Sequence, residues 1–186
     1  MNEHQDGDID RLTKMVHFVV QHTPPEKLGA TKLNKVLWFA DVMHYRQHGV
    51  SISGQTAYLK NKYGPTPAGI YQVLDDLKAS GSIAERAVPT PAGARREFLW
   101  LLPADASEFS AGEIETLLDV IDWAMPLTAV QISEFSHDAL WEETDVGQPI
   151  SIAAASMIPS EPDAEDLAWA EAVFAQYDDD ALRALA

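Results

Sequence analysis

The sequence predicts a compact, mainly α-helical domain that carries one small β-hairpin. Apolar residues recur at three- and four-residue spacing in several segments, which is typical of amphipathic helices. Two strand-like runs flank a short stretch rich in proline and glycine, which favours a hairpin. The 186 residues, 46% of them hydrophobic, suffice for one domain with a core and are too few for two independent enzymatic domains.

Two helices are predicted in the first part of the chain. The first spans about residues 8–21, and Pro24 and Pro25 end its apolar pattern. The second spans about residues 31–48 and stops at Gly49. Its apolar residues lie on more than one face: Leu33, Val36, Leu37, Ala40 and Met43 on one side, with Trp38, Phe39 and Tyr45 elsewhere. Such a helix either lies at the centre of the fold or has a second apolar surface that another element or a partner covers.

An extended run, a rigid turn and a third helix are predicted next. Residues 51–59 lose the helical period, and Gly54 favours a bend within them. The turn covers residues 63–67, because two prolines and a glycine lie close together there. The helix is predicted over about residues 67–79, with proline in its first turn.

The hairpin is predicted from two strand-like runs, at residues 82–88 and 95–102. The turn between them, at residues 89–93, contains two prolines and a glycine. A helix followed directly by a hairpin has the outline of a winged helix. We therefore expect a winged-helix-like element in the middle of the chain.

The C-terminal half is predicted to be helical again. Residues 110–113 and 128–131 have the Ser/Thr-x-x-Glu/Gln spacing of a capping box, so each is expected to begin a helix. Residues 136–150 show no clear period and are predicted to be mostly irregular. A last amphipathic helix is predicted over about residues 163–177.

Acidic residues outnumber basic ones by 29 to 13, which gives a formal net charge of -16. The surplus is uneven, because residues 1–102 hold 12 basic residues against 10 acids, whereas residues 103–186 hold 19 acids and one arginine. An acidic surface disfavours broad binding to nucleic acid or to an anionic membrane, and it suits a basic protein partner. A nucleic-acid role stays open for the first half, whose net charge is +2.

No residue pattern supports catalysis, so we expect neither enzyme activity nor a cofactor. The chain has no cysteine, which excludes thiolate nucleophiles and thiolate-bound metals. His44 and His48 lie one helical turn apart with Asp41 on the neighbouring ridge, but the carboxylate between the histidines that a metalloprotease helix would use is absent, and a third ligand would have to come from elsewhere in the chain. Ser136, His137 and Asp138 are adjacent in sequence and cannot form a catalytic triad among themselves.

No membrane attachment is expected either. The N-terminus has neither the basic start nor the apolar stretch of a signal peptide, and no apolar run is long enough to span a bilayer. These observations predict a cytoplasmic protein.

Four stretches of the chain combine in an order and at a spacing typical of one protein family. They are residues 31–45 (TKLNKVLWFADVMHY), 49–54 (GVSISG), 62–67 (KYGPTP) and 132–137 (ISEFSH), the last followed by Trp141 and Gly147. On these residues the sequence resembles the Panacea family, also called the SocA-like antitoxin domains.

The resemblance implies a non-catalytic antitoxin of a bacterial or phage toxin–antitoxin pair of type II-like organisation, which neutralises a cognate protein toxin by direct binding. The toxin is expected to be encoded by the adjacent gene. One relative resembles a proteolytic adaptor, which implies a AAA+ protease as a second partner. The implied antitoxin domain covers residues 1–150, and residues 151–186 are expected to form an acidic C-terminal extension.

An alternative function is also compatible with the residues. A winged-helix-like element could make the protein a DNA-binding repressor of its own operon, with Arg86, Arg95 and Arg96 contacting phosphate. The negative net charge of the chain disfavours this alternative.

The residues expected to contact the toxin come from the stretches that match the family. Aromatic side chains often anchor interfaces, although burial in the core is the commoner location for any single one. The same residues could equally maintain the scaffold. The toxin-binding candidates are Trp38, Asp41, His44, Tyr45, Lys62, Tyr63, Pro65 and Trp141.

Overall fold

The described part of the chain, residues 3–90 and 93–158 of a computed structural model, forms seven α-helices, one 3₁₀ turn and two antiparallel sheets. The helices are α1 (Glu3–Gln21), α2 (Ala30–His48), α3 (Ile70–Ala79), α4 (Ala111–Ala124), α5 (Ala129–Phe135), α6 (Ala139–Glu143) and α7 (Ile152–Ser156), with the 3₁₀ turn at Pro25–Lys27. The strands are β1 (Ala57–Asn61), β2 (Gly64–Pro67), β3 (Ile83–Thr90), β4 (Gly93–Trp100) and β5 (Pro149–Ser151). None of these helices is long and apolar enough to cross a membrane.

Helix α2 lies at the centre of the fold. It packs against α1, α4, α5 and α7, and against strands β2 and β4. Its buried side chains therefore occupy several faces, as the apolar pattern predicted. They are Lys32, Leu33, Lys35, Val36, Leu37, Trp38, Ala40, Asp41, Val42 and His44. The set includes two lysines and an aspartate, and burial of such groups is costly unless the surrounding atoms compensate for the lost water.

Several local predictions are confirmed. Strands β3 and β4 form the predicted hairpin, in register from Ile83 opposite Trp100 to Thr90 opposite Gly93. Both capping boxes are present, at the N-termini of α4 and α5. The mainly helical fold with small antiparallel sheets thus agrees with the predicted fold class.

The turn predicted at residues 63–67 was wrong in extent. Gly64–Pro67 is strand β2, which pairs with β1 from Tyr58 opposite Pro67 to Asn61 opposite Gly64. Strand β2 lies at the edge of its sheet, where proline is tolerated because no further strand needs its missing N–H. Helix α3 accordingly begins at Ile70, after Gly69, rather than at Pro67.

The chain after residue 136 is more regular than predicted. Helix α6, strand β5 and helix α7 lie there, and β5 pairs with β1 to complete a three-stranded sheet in the order β2-β1-β5. Ile150, Ile152 and Ala155 are buried in the core. The proposed domain boundary at residue 150 therefore falls within a strand. The helix predicted over residues 163–177 lies outside the described residues.

Candidate functional site

The β1–β2 hairpin presents one aromatic ring and one cation to solvent. The chain reverses at Lys62 and Tyr63, between the paired residues Asn61 and Gly64. The backbone N–H of Lys62 donates to Asn61 Oδ1 over 2.9 Å, which supports the tight turn. The Tyr63 side chain is 62% exposed, and Lys62 Nζ lies 5.3 Å from its ring centroid. The hairpin tip is therefore an accessible surface with a π-face and a positive charge.

A small pocket lies between this hairpin and the N-terminal turns of α2 and α3. Its volume is about 140 Å³, close to the cavity of about 150 Å³ that can hold a benzene ring. Two exposed tyrosines, Tyr63 and Tyr71, contribute to its wall, and the buried Oδ1 of Asn34 has no hydrogen-bond partner among the described residues. We call this cavity the hairpin pocket; its lining residues are Ala30, Thr31, Asn34, Asn61, Tyr63, Pro65, Thr66 and Tyr71.

Lys35 of α2 lies directly beneath the hairpin. Its side chain is only 1% exposed, and its Nζ has no hydrogen-bond partner among the described residues. A Cβ atom at position 64 would lie 1.4 Å from this Nζ, so the ammonium group fills the space that a side chain at Gly64 would need. The left-handed φ of +108° at Gly64 also favours glycine. Lys35 and Gly64 are thus fitted to each other.

Further polar groups surround Lys35 and form a layer under the hairpin. The His137 and Trp141 rings stack at 3.7 Å with an angle of 9°, and Lys60 Nζ lies 4.0 Å from the Trp141 centroid. His137 Nε2 and Trp141 Nε1 are buried, and neither has a hydrogen-bond partner in the described part. We call Lys35, Lys60, Ser136, His137 and Trp141 the polar layer. It is rich in N–H groups and contains no carboxylate.

Burial shifts the titrations of Lys35 and His137 toward their neutral forms. Burial lowers the pKa of Lys35 from 10.5 to about 7. Burial also lowers the pKa of His137, and the positive charges of Lys35 and Lys60 lower it further. Lys35 and His137 therefore carry less positive charge at neutral pH than their residue types suggest.

A second buried polar cluster ties the loop after α2 to the sheet. Asp41 is completely buried, and its carboxylate accepts hydrogen bonds from Ser53 N at 2.9 Å, Ser53 Oγ at 2.5 Å and Tyr58 Oη at 2.7 Å. Burial raises the pKa of Asp41, while the hydrogen bonds from Ser53 and Tyr58 oppose that rise. Trp38 packs edge-on against Tyr58 with ring centroids 5.2 Å apart.

The sequence that forms these elements matches a known family. The family model for the SocA-like antitoxin, Panacea domain, matches residues 33–142, more than half of the chain. The chain belongs to this family. The matched range contains the hairpin tip, the polar layer and Asp41, so each lies within the Panacea domain. No curated protein and no solved structure matches the chain.

The eight toxin-binding candidates occupy three kinds of position in this Panacea domain. Lys62 and Tyr63 are exposed at the hairpin tip, and Tyr45 and Trp141 are half-buried. The other four, Trp38, Asp41, His44 and Pro65, are buried. The fold brings Lys62, Tyr63 and Pro65 together and places Trp141 beside Lys60, while the α2 candidates other than Tyr45 support the scaffold through buried contacts.

The histidines and the Ser-His-Asp run have structural contacts. His44 Nδ1 lies 2.9 Å from Val50 O, which joins the end of α2 to the following loop. Ser136 Oγ donates to Ser133 O, and the Asp138 carboxylate accepts from Trp141 N, so these side chains do not line up as a relay. Within residues 3–90 and 93–158, no group of three histidine or carboxylate side chains is placed to hold a metal ion.

Sequence reasoning missed Asn34, Lys35, Gly64, Tyr71 and His137 as members of the site. All except Tyr71 lie in stretches on which the family resemblance rests. The available signal was a lysine three and four positions before Trp38 and Phe39, on the second apolar face of a central helix, since a buried lysine requires a special environment. Tyr71 gave no such signal, because a tyrosine on α3 is compatible with an ordinary surface position.

We expect Lys35 to make the free energy of unfolding depend on pH in the neutral to alkaline range. Its folded-state pKa of about 7 lies below 10.5, so between these values the unfolded chain binds more protons than the folded protein. The contribution of Lys35 to the free energy of unfolding should therefore rise with pH, by about 1 kcal/mol per unit. Lys35→Met, which fills similar space without a charge, should lack this slope.

Urea denaturation of both proteins at pH 7, 8 and 9 measures the difference. Subtracting the variant's free energy of unfolding from that of the wild type cancels the other titrating groups. A difference that stays constant across this range would show that Lys35 keeps an ordinary pKa.

Proposed function

We propose that this protein neutralises a cognate protein toxin by binding it directly through the Panacea domain. The observation that carries the proposal is the family match over residues 33–142, which assigns an antitoxin-type role. Such a role is non-enzymatic, and the adjacent gene is the first place to seek the toxin. Blocking the toxin is the simplest mechanism that the surface supports.

The hairpin tip and the hairpin pocket are the surface that we assign to this binding. Tyr63 and Tyr71 are both more than 60% exposed beside a concave site. Tyrosines next to a pocket are typical interface anchors, because they bury a large area while their hydroxyl groups remain hydrogen-bonded. The pocket has room for one side chain of about the size of an aromatic ring.

The charge of the protein favours a basic toxin. Residues 103–186 carry 19 acids and one basic residue. Complementary charge speeds the encounter of two proteins and excludes wrong partners. The acidic extension proposed for residues 151–186 would add to this attraction, and its effect should weaken as salt screens the charges.

The DNA-binding alternative receives no support from the hairpin of β3 and β4. Arg86 Nε donates to Glu97 over 2.8 Å and Arg95 pairs with the same carboxylate, while Arg96 Nε donates to Glu85 over 2.5 Å. Each guanidinium group therefore has a carboxylate partner that a phosphate would have to displace. DNA binding through this hairpin would require these arginine–glutamate ion pairs to break.

We expect Tyr63→Ala to weaken toxin binding by about tenfold or more, the cost of removing an interface anchor. Exposed Trp100 at the end of β4 provides a matched control, since Trp100→Ala removes an exposed aromatic ring outside the site. Calorimetric titration of the purified toxin into each protein measures the change. Similar affinities for the two variants would show that the hairpin tip is not part of the interface.

Co-expression with the adjacent open reading frame tests the function itself. The neighbouring product should arrest growth alone, and this protein should restore growth and copurify with it. A harmless neighbour, or one that does not copurify, would contradict the proposal. A toxin that binds but disappears only in the presence of a AAA+ protease would replace simple blocking by an adaptor mechanism.

A further inference from the structure

A groove runs along the surface between α2 and α4, away from the hairpin pocket. Its volume is about 340 Å³. Phe39 of α2 packs against Trp123 of α4 near one end of the groove. At the other end, the lining residues come from the end of α2 and the start of α4. The two helices therefore run antiparallel along it. The groove is lined by Met43, Gln47, His48, Gly112, Glu115, Thr116 and Asp119.

One helical turn beyond the lining residues Met43 and Asp119, the surface at Phe39 and Trp123 is aromatic and accessible. The Phe39 and Trp123 centroids lie 5.0 Å apart, and the Trp123 and Phe135 centroids lie 5.4 Å apart, both with edge-to-face geometry. Trp123 is 39% exposed, Phe135 is 59% exposed, and Met43 continues the apolar surface along α2. A single exposed apolar residue is ordinary, but a contiguous set beside a groove marks an interaction surface.

The rest of this surface is acidic. Glu115, Asp119 and Asp122 are exposed on α4, and Glu134 is exposed on α5. None of the four forms an ion pair within the described residues, and neither helix contains a lysine or an arginine. The groove thus combines an aromatic end with unneutralised carboxylates, two of which are in its lining.

We infer that this groove docks a basic amphipathic segment of the toxin. An apolar side chain of that segment would cover Trp123 and Phe135, and its lysine or arginine side chains would approach Glu115 and Asp119. Burial of the apolar side chain would supply affinity, and the paired charges would supply orientation and a fast encounter. This inference rests on the proposed function and adds a second contact to the one at the hairpin.

Charge complementarity selects this occupant over two others. A second copy of the chain carries the same net charge of -16 and presents the same carboxylates, which disfavours self-association here. The chain's own residues 159–186 follow Ile158, which lies close by, because Arg46 beside Gln47 donates to Ile158 O over 2.8 Å. Those residues contain eight acids and one basic residue, so like charges oppose their docking in this groove.

Charge reversal in the full-length protein tests the inference. Glu115→Lys with Asp119→Lys should weaken binding of the purified toxin by about tenfold or more at low salt, mainly through slower association, and by less at high salt. Asp76→Lys with Glu143→Lys is the matched control, since both acids are exposed, lie outside the groove and give the same change in net charge. The control should bind within about threefold of the wild type.

A second variant tests the aromatic end without changing charge. Phe135→Ala removes an exposed ring and should weaken toxin binding by about tenfold, with a slope against salt equal to that of the wild type. Thermal unfolding of each variant confirms that it folds. If the groove charge reversal and Phe135→Ala both bind like the control, the inference is overturned while the proposed function stands.

The two other occupants have distinct signatures in the free protein. A nitroxide attached at Asp119→Cys is specific, because the chain contains no other cysteine. If the nitroxide broadens the NMR resonances of residues 159–186 in the same molecule, the groove binds the chain's own C-terminal segment. Broadening of an unlabelled second copy in a mixed sample would assign it to self-association. If the wild-type protein does not bind the toxin, both the inference and the proposed function are contradicted.

Discussion

Replacing Asp41 with alanine is expected to destabilise the Panacea domain by about 3–5 kcal/mol. The substitution removes the common acceptor of three hydrogen bonds, from Ser53 N, Ser53 Oγ and Tyr58 Oη, all of which are buried. Each donor left unpaired in the interior costs about 1–3 kcal/mol, and the loss of the side chain also leaves a cavity. Because Ser53 lies in the loop after α2 and Tyr58 in β1, both elements should loosen together.

Urea denaturation at neutral pH measures this loss. Asp41→Asn is the matched control, since it preserves the shape and one acceptor oxygen while removing the charge. We expect the asparagine variant to lose less stability than the alanine variant. Equal stability of Asp41→Ala and the wild type would show that the cluster contributes nothing to folding.

Replacing Gly64 with alanine should produce the second large effect, a loss of about 2–4 kcal/mol. The backbone φ of +108° is strained for any residue with a Cβ, and such strain costs about 1–3 kcal/mol. The new Cβ would also lie 1.4 Å from Lys35 Nζ and 2.8 Å from Lys35 Cε, so the lysine must move. Lys35 is buried beneath the hairpin, which leaves it little space in which to do so.

Gly81→Ala separates the two causes of this loss. Gly81 also has a positive φ, of 73°, but a Cβ there would meet no atom within 4 Å. That variant should lose only about 1 kcal/mol, from backbone strain alone. In a Lys35→Ala background, Gly64→Ala should cost less than in the wild type, and a double-mutant cycle gives the coupling energy. A coupling near zero would mean that Lys35 moves aside freely.

These two substitutions bear on the proposed function because both clusters support the surface that we propose for toxin binding. Asp41 anchors β1 through Tyr58, and β1 carries the hairpin whose tip presents Tyr63. Gly64 begins β2 and lets the hairpin lie directly on Lys35. Toxin binding should therefore fall in both variants even at temperatures where they remain folded, because a less ordered hairpin must be fixed on binding.

Much of the fold follows from local patterns. The first two helices, the β3–β4 hairpin and both capping boxes were predicted from apolar spacing and from residues that act within a few positions of one another. The strand at Gly64–Pro67 was missed because proline and glycine locally favour a turn. Only pairing with β1, and a position at the edge of the sheet, make those residues a strand.

The candidate site was predictable only in part, for the same reason. Lys62 and Tyr63 follow from the family resemblance and lie exposed at the hairpin tip. The candidates Trp38 and Asp41 lie in the interior. The sequence did not predict this, because the type of an aromatic or acidic residue within a helix does not reveal which helix face is buried. The companions of Lys35 come from β2 and from the segment around Ser136, about 30 and 100 positions away in the chain.

The sequence by itself determined the first two helices, the β3–β4 hairpin, both capping boxes, the separation of charge between the two halves and the family. These properties depend on composition, on neighbours within one or two turns, or on the order and spacing of motifs along the chain, all of which a linear pattern records. Only the tertiary structure decided that Lys35 faces Gly64, that Asp41 joins a loop to a sheet, and that Phe39, Trp123 and Phe135 pack together beside an acidic groove. These contacts join distant segments, and burial then decides their energies and pKa values, which no spacing along the chain contains.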